Sequence, residues 1–434
     1  MRTSRITTFR GLLLVGLLAT LSTMALAAAD GMPRAKPEEV GLSAERLARI
    51  DRVMEEHVKA GKIAGAVTLV ARRGKIAHVG AYGLADIEAG KPMAENTIFR
   101  IASMTKPLTS TAVMMLYEEG KFLLTDPVGK YLPEFQEMTV IGPQGTGIGQ
   151  PVAAKNQITI RHLLTHPAGF TYHWNETLGP MYAYYGVPHG LGPTPMTLAE
   201  ATKALARVPL LFEPGERYEY GLSIDVLGRL VEVVSGMSFD EFLARRLFAP
   251  LGMQDTHFWL PPEKTARLAA VYSPKKGGGL EKAPEVVVED EKVPFTTSYP
   301  YKGTSKFLSG GGGLSSTTLD YARFAQMILD KGEWNGARLL SPKTVELMTM
   351  DHAGWITDKA PLAFGYGFSV VTTEHGTAEL GSIGDHGWGG YWYTKFFIDP
   401  REAMVGVFMC QLHPAGGLRL NDLFGVLARQ AIVE

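Results

Sequence analysis

The sequence predicts an α+β fold in which both ends of the chain build one antiparallel sheet and a helical region is inserted between them. Two observations carry this. Strand-like apolar runs lie early, at Ala64–Ala71 and Ile76–Tyr82, and late, at Gly367–Thr373, Tyr393–Ile398 and Met404–Met409. Between about 107 and 300 they give way to helical periodicity and long Pro/Gly-rich connections such as Gly142–Pro151 and Gly179–Pro195. On this reading residues 28–434 form one domain, with an α/β part over about 40–106 and 305–434 and a helical part over about 107–304.

Taken in order, the chain opens with Arg2, Arg5 and Arg10, an apolar stretch Leu12–Leu26 and the small-x-small site Ala25-Leu26-Ala27. That is the pattern of a secretory signal peptide over 1–27, so a periplasmic or secreted protein is expected. Ser43 then caps a helix striped by Leu47, Ile50, Met54 and Val58. Arg72-Arg73-Gly74-Lys75 joins the first two strands as a hairpin. A helix starts near Ser103 and runs through Leu108, Ala112, Met115 and Leu116 to a stop at Gly120. Ile224, Leu227, Val231 and Val234 mark another, closed by Ser235-Gly236. Residues 274–295 read as a surface insertion, Leu319–Leu329 as a helix, and Leu420–Ile432 as a terminal one.

Composition narrows the function classes. A net charge of −1 with interspersed signs argues against nucleic acid or an anionic membrane as the main partner. Cys410 is the only cysteine, which forbids an intramolecular disulfide, and its apolar run reads as a buried strand. A hydrophobic fraction of 45% supplies an ordinary core.

Chemistry enters with the pattern S-x-x-K, which occurs twice: Ser103-Met104-Thr105-Lys106 and Ser273-Pro274-Lys275-Lys276. A serine hydroxyl needs a base to become a nucleophile, and residues at i and i+3 share a helix face, so the lysine can be that base. Spacing alone does not choose between the two, and a helix-start serine also serves as a simple cap. Setting does choose. Ser273 precedes Gly277-Gly278-Gly279 in a stretch without periodicity, which reads as a loop. Ser103 follows the buried approach Phe99–Ala102, and Pro107 fits only the first turn of a helix.

The segment Phe99–Pro107 resembles the nucleophile segment of the serine β-lactamase and D,D-peptidase superfamily, in its class C-like branch. Asp126-Pro127-Val128 with Tyr131-Leu132-Pro133, Ile160–His166, Pro214–Tyr220, Phe248–Met253 and Gly311–Ser316 are similar to further stretches of that family, in the same order. The resemblance implies a β-lactamase/transpeptidase-like fold and an acyl-enzyme on Ser103, with Lys106 as base. It makes Tyr220, rather than Tyr218, the second proton carrier, and places the oxyanion between the backbone N–H groups of Ser103 and Tyr391. It implies no metal or organic cofactor.

Two departures bear on the substrate. Where the family's lactamases and peptidases have Y-x-N, this chain has Tyr220-Gly221-Leu222, an apolar residue in place of an amide. Where they begin the third motif with Lys or His, it has Trp388-Gly389-Gly390. Trp-Gly-Gly resembles the family VIII carboxylesterases, so a small-molecule ester, with a short acyl chain, is the expected substrate. His386 is a candidate replacement for the missing cation. A D-amino-acid peptidase or weak β-lactamase, and a penicillin-binding-like sensor with slow deacylation, carry the same triad. His162 and His166 are read as structural, since no third metal ligand accompanies them. No G-x-S-x-G occurs, so the α/β-hydrolase route has no support. Tyr172, Trp174, Tyr182, Tyr184 and Tyr185 are candidates for lining an acyl pocket.

Overall fold

A computed structural model of the protein describes residues 31–142, 149–289, 293–302, 306–352, 363–373 and 378–434. The leader-like segment 1–27 lies outside them. Among the described residues no helix is long and apolar enough to cross a membrane.

Strands form where the apolar runs predict. Gly65–Arg72 (β1) is buried along its whole length and pairs with Lys75–Asp86 (β2) across the turn at Arg73-Gly74. With Lys91–Pro92 (β3), Ala363–Phe364 (β4), Ser369–Val370 (β5), His386–Gly390 (β6), Thr394–Asp399 (β7) and Met404–Cys410 (β8), they make one antiparallel sheet ordered β4-β5-β6-β7-β8-β1-β2-β3. β1 and β8 join the two ends of the chain, with Ala66 opposite Cys410 and Arg72 opposite Met404. Cys410 is buried, which pushes its thiol up to about 12 and leaves it a packing residue.

Helices cover both sheet faces, which is why β1 lacks polar alternation. Ala66 and Val70 pack with Met404 and Phe408 against Ala44–Lys59 (α1) and Leu420–Arg429 (α7), near the ends of the chain. Ser43 caps α1 by accepting from the Arg46 N–H. On the other face Val67, Leu69, Val405 and Val407 pack with Leu108, Ala112, Phe324 and Met327, from Thr105–Glu118 (α2) and Thr318–Leu329 (α6). α2 is buried from Thr105 to Leu116 because it lies between the sheet and the helical region. Ile160–Thr165 (α3), Leu198–Leu205 (α4) and Ser223–Ser235 (α5) supply that region.

Two expectations are corrected. The strand expected at 367–373 shrinks to Ser369–Val370. The stretch around Ser273 is not an open loop: Tyr272–Pro274 pairs with Leu280–Lys282, because Gly277, Gly278 and Gly279, all at positive φ, fold the chain back tightly. A second hairpin, Val286–Glu289 with Val293–Thr296, follows it.

Candidate active site

Ser103 stands out by exposure. From Thr97 to Leu116 every residue is buried except Ser103, which is half-buried. It lies in the single 3₁₀ turn Ala102–Met104 that feeds α2, and its side chain caps nothing. Ala102 takes φ 41°, a left-handed conformation that costs energy for a residue with a Cβ, and the neighbouring packing enforces it. Arg100 anchors the approach: fully buried, it donates to Ala269 O at 2.9 Å and Tyr299 O at 2.5 Å, and burial draws its guanidinium down to about 10.

Lys106 is buried completely, one turn on. Its Nζ is hydrogen-bonded to Ser103 Oγ at 3.1 Å and donates to Gly311 O at 2.7 Å and to the Tyr172 hydroxyl at 3.0 Å. None of these partners is a carboxylate. The Tyr220 hydroxyl donates to Ser103 Oγ at 2.8 Å, and its ring lies 4.5 Å from the lysine nitrogen. Ser103, Lys106 and Tyr220 thus meet at one point. Tyr218 instead packs on His166 and Phe364.

The turn that delivers Tyr220 is built by close approach. A Cβ on Gly221 would lie 2.5 Å from Phe170 O and from Thr171 Cα, so only glycine fits there. The Gly221 N–H donates to His166 Nδ1 at 3.4 Å, and the His166 ring packs under Tyr220 with centroids 4.8 Å apart. His166 is wholly buried, which holds its imidazole well below the usual range, with Lys106 acting in the same sense. His162 completes a capping box with Thr159, and burial lowers it to about 4. Both histidines are structural, and among the described residues no cluster of ligand side chains could hold a metal ion.

On the opposite wall β6 brings Trp388 to the site. Its indole Nε1 donates to the Tyr220 hydroxyl at 3.3 Å, and its ring packs on Phe364. Gly390 lets the end of β6 pass the nucleophile turn, since a Cβ there would meet Ile101 O at 2.4 Å; Gly389 beside it lines the cleft. Tyr391 also lines it, its ring stacked on His413 and its hydroxyl 2.8 Å from His413 Nε2.

Two expectations fail and a third holds in part. Leu222 does not face the substrate: it is the first residue before α5, turned into a small apolar space among Leu198, Leu205, Val226 and Phe307. His386 cannot supply a cation. It is 5% exposed, its Nδ1 bonds to Gly384 O at 3.0 Å, and burial pulls it down to about 4. The aromatic cluster splits: Tyr172 joins the site, Trp174 packs on it and lines the cleft, Tyr182 is core, Tyr185 packs half-buried against the core, and Tyr184 is exposed. Tyr172, a candidate for the acyl pocket, instead holds Lys106, a role that no local pattern assigns because the lysine is 66 positions away.

The cleft at Ser103, of about 760 Å³, extends from Trp174 and Trp388 along β6 and β7 toward α7. The basic side chains on its far wall are paired: Lys395 and Arg419 with Asp422, and Arg429 with Asp385 at 2.6 Å.

Comparison with known proteins supplies the family. The family model described as Beta-lactamase matches residues 50–428. The chain is similar to esterase EstB of Burkholderia gladioli, at 32% identity over 84% of this chain and 90% of EstB. It is similar also to a putative D-alanyl-D-alanine carboxypeptidase of Escherichia coli K12, at 28% identity over 92% of this chain and 90% of that one. Among solved structures, EstCE1, described as a hydrolase with promiscuous acyltransferase activity, superposes with a TM-score of 0.76 and 28% identity, covering 90% of this chain and 99% of that chain. With a family match that runs from α1 into α7, the chain belongs to the beta-lactamase family and is a serine hydrolase of that family.

Proposed function

We propose that the protein is a carboxylesterase working through an acyl-enzyme on Ser103. Lys106 takes the hydroxyl proton as Ser103 Oγ bonds to the ester carbonyl carbon. The backbone N–H groups of Ser103 and Tyr391 face the resulting oxyanion. When it collapses, the carbon–oxygen bond to the alcohol breaks and Tyr220 gives that oxygen its proton. Water then attacks the acyl group while the Tyr220 phenolate takes a proton from it, and Ser103 leaves with the proton stored on Lys106. Atoms and protons are restored over one cycle.

The observation that carries the ester reading is the Trp388 indole on the Tyr220 hydroxyl. At that place the related lactamases and peptidases hold a cation able to pair with a substrate carboxylate, and an indole N–H cannot. His386 is neutral at ordinary pH, and the basic residues farther along the cleft already have acidic partners. A small uncharged acyl group meets no penalty in such a cleft, whereas a carboxylate would be desolvated without a partner. The resemblance to EstB and EstCE1 supports the same reading.

The test is a side-by-side measurement of kcat/KM on p-nitrophenyl butyrate and on a chromogenic cephalosporin. We expect the ester to be turned over faster. Faster hydrolysis of the cephalosporin would overturn the reading.

A further inference from the structure

Behind Lys106 stands a buried carboxylate that the acyl-transfer steps leave unused. Asp225, in the first turn of α5, is 5% exposed. Its Oδ1 accepts from Ser309 Oγ at 2.5 Å and from the Gly311 N–H at 3.3 Å. Its Oδ2, equally buried, has no hydrogen-bond partner among the described residues. An unpaired buried carboxylate oxygen is costly enough to need a reason.

Gly311 supplies one. A Cβ at this position would lie 2.6 Å from Asp225 Oδ2 and 3.2 Å from the Tyr172 hydroxyl. Because the residue is glycine, that space stays open, lined on one side by a phenol and on the other by the unpaired oxygen. The same residue's carbonyl accepts from Lys106.

The geometry of the amine completes the argument. A neutral lysine amine has two N–H donors and one lone pair. Gly311 O and the Tyr172 oxygen are two acceptors, and with both N–H groups spent on them the lone pair is left for the Ser103 hydroxyl. This works only if the Tyr172 oxygen accepts, so its own proton must point elsewhere. We propose that Tyr172 and Asp225 form a positioning arm, in which Asp225 draws the Tyr172 proton across the space left by Gly311 so that the phenol oxygen holds Lys106 with its lone pair on Ser103.

The proposal rests on Ser103 and Lys106 being nucleophile and base, and its test separates the two. Fluorophosphonate labelling, with the adduct mapped by peptide, reports the reactivity of the serine itself. An adduct away from Ser103 would overturn the underlying reading. With the adduct on Ser103, we expect Tyr172→Phe and Asp225→Asn, both nearly isosteric, each to slow labelling by up to about a hundredfold, the size of effect that follows from misplacing a reacting group. In ester hydrolysis kcat should fall with KM little changed. The double variant should be no slower than Tyr172→Phe alone, because Asp225 acts through Tyr172. Thermal melts check that each variant is folded. Wild-type labelling in folded Tyr172→Phe, or losses that simply add in the double variant, would overturn the arm.

Discussion

The two S-x-x-K segments have the same spacing and opposite fates. At Ser103 the lysine is buried, held by Gly311 O and the Tyr172 hydroxyl, and the serine alone reaches the cleft. At Ser273 the arrangement is inverted. Lys276 is exposed on a hairpin turn, and the serine hydroxyl is spent on His413 O at 2.6 Å. Spacing brings an amine within reach of a hydroxyl, but only a dehydrated amine with its N–H groups occupied becomes a base for it. The difference lies in tertiary packing, not in the four-residue pattern.

Exchanging each serine for alanine separates the two segments most directly. Ser103→Ala should abolish ester hydrolysis, by a factor on the order of 10⁴ or more. Ser273→Ala should leave kcat/KM unchanged; a comparable loss there would reverse the assignment. Next in size, Tyr220→Phe should cost about 10²–10⁴ in kcat, as loss of a proton carrier does. Tyr218→Phe, two residues away, should keep near-wild-type kcat.

Acid acts on the burial of the wall beside Trp388. His386 is drawn down from 6.5 to about 4, chiefly by burial. Between those values the unfolded chain binds a proton that the folded one refuses. The neutral form's contribution is therefore full above pH 6.5 and is lost as pH falls toward 4. Relative to wild type, His386→Gln should gain on the order of 3 kcal/mol in unfolding free energy over that fall. Denaturant titrations at several pH values measure it, and a constant difference across the range would count against a buried neutral His386. The smallest effect expected is that of Gly221→Ala. Overpacking against Phe170 and Thr171 should lower stability by about 1–3 kcal/mol and displace Tyr220, so kcat falls too. An unchanged melt and kcat would show that the turn has room.

Much of this was legible in the sequence. Ser43 as a cap, the hairpin at Gly74, the stop at Gly120 and the strand around Cys410 depend on local chemistry and period, and they stand where expected. Ser103, Lys106 and Tyr220 were legible because their motifs are short and come in a recognisable order. Leu222 and His386 were misread for one reason. Each lies within two residues of a functional side chain, and the direction in which a side chain leaves the backbone depends on the turn or strand around it. Gly221 turns Leu222 inward, and the strand buries His386 against Phe368. Tyr172 was legible only as one aromatic of a cluster and Asp225 not at all, since only folding brings them toward Lys106.

The central pairing of β1 with β8 has a consequence for how activity first arises. The strand leading toward the nucleophile has its partner more than three hundred residues later, and β6, with Trp388, enters the sheet through the same late hairpins. Contacts this remote along the chain close slowly and late. A nascent or truncated polypeptide ending before β8 therefore owns the serine, the lysine and the tyrosine but has nothing to hold the wall opposite them.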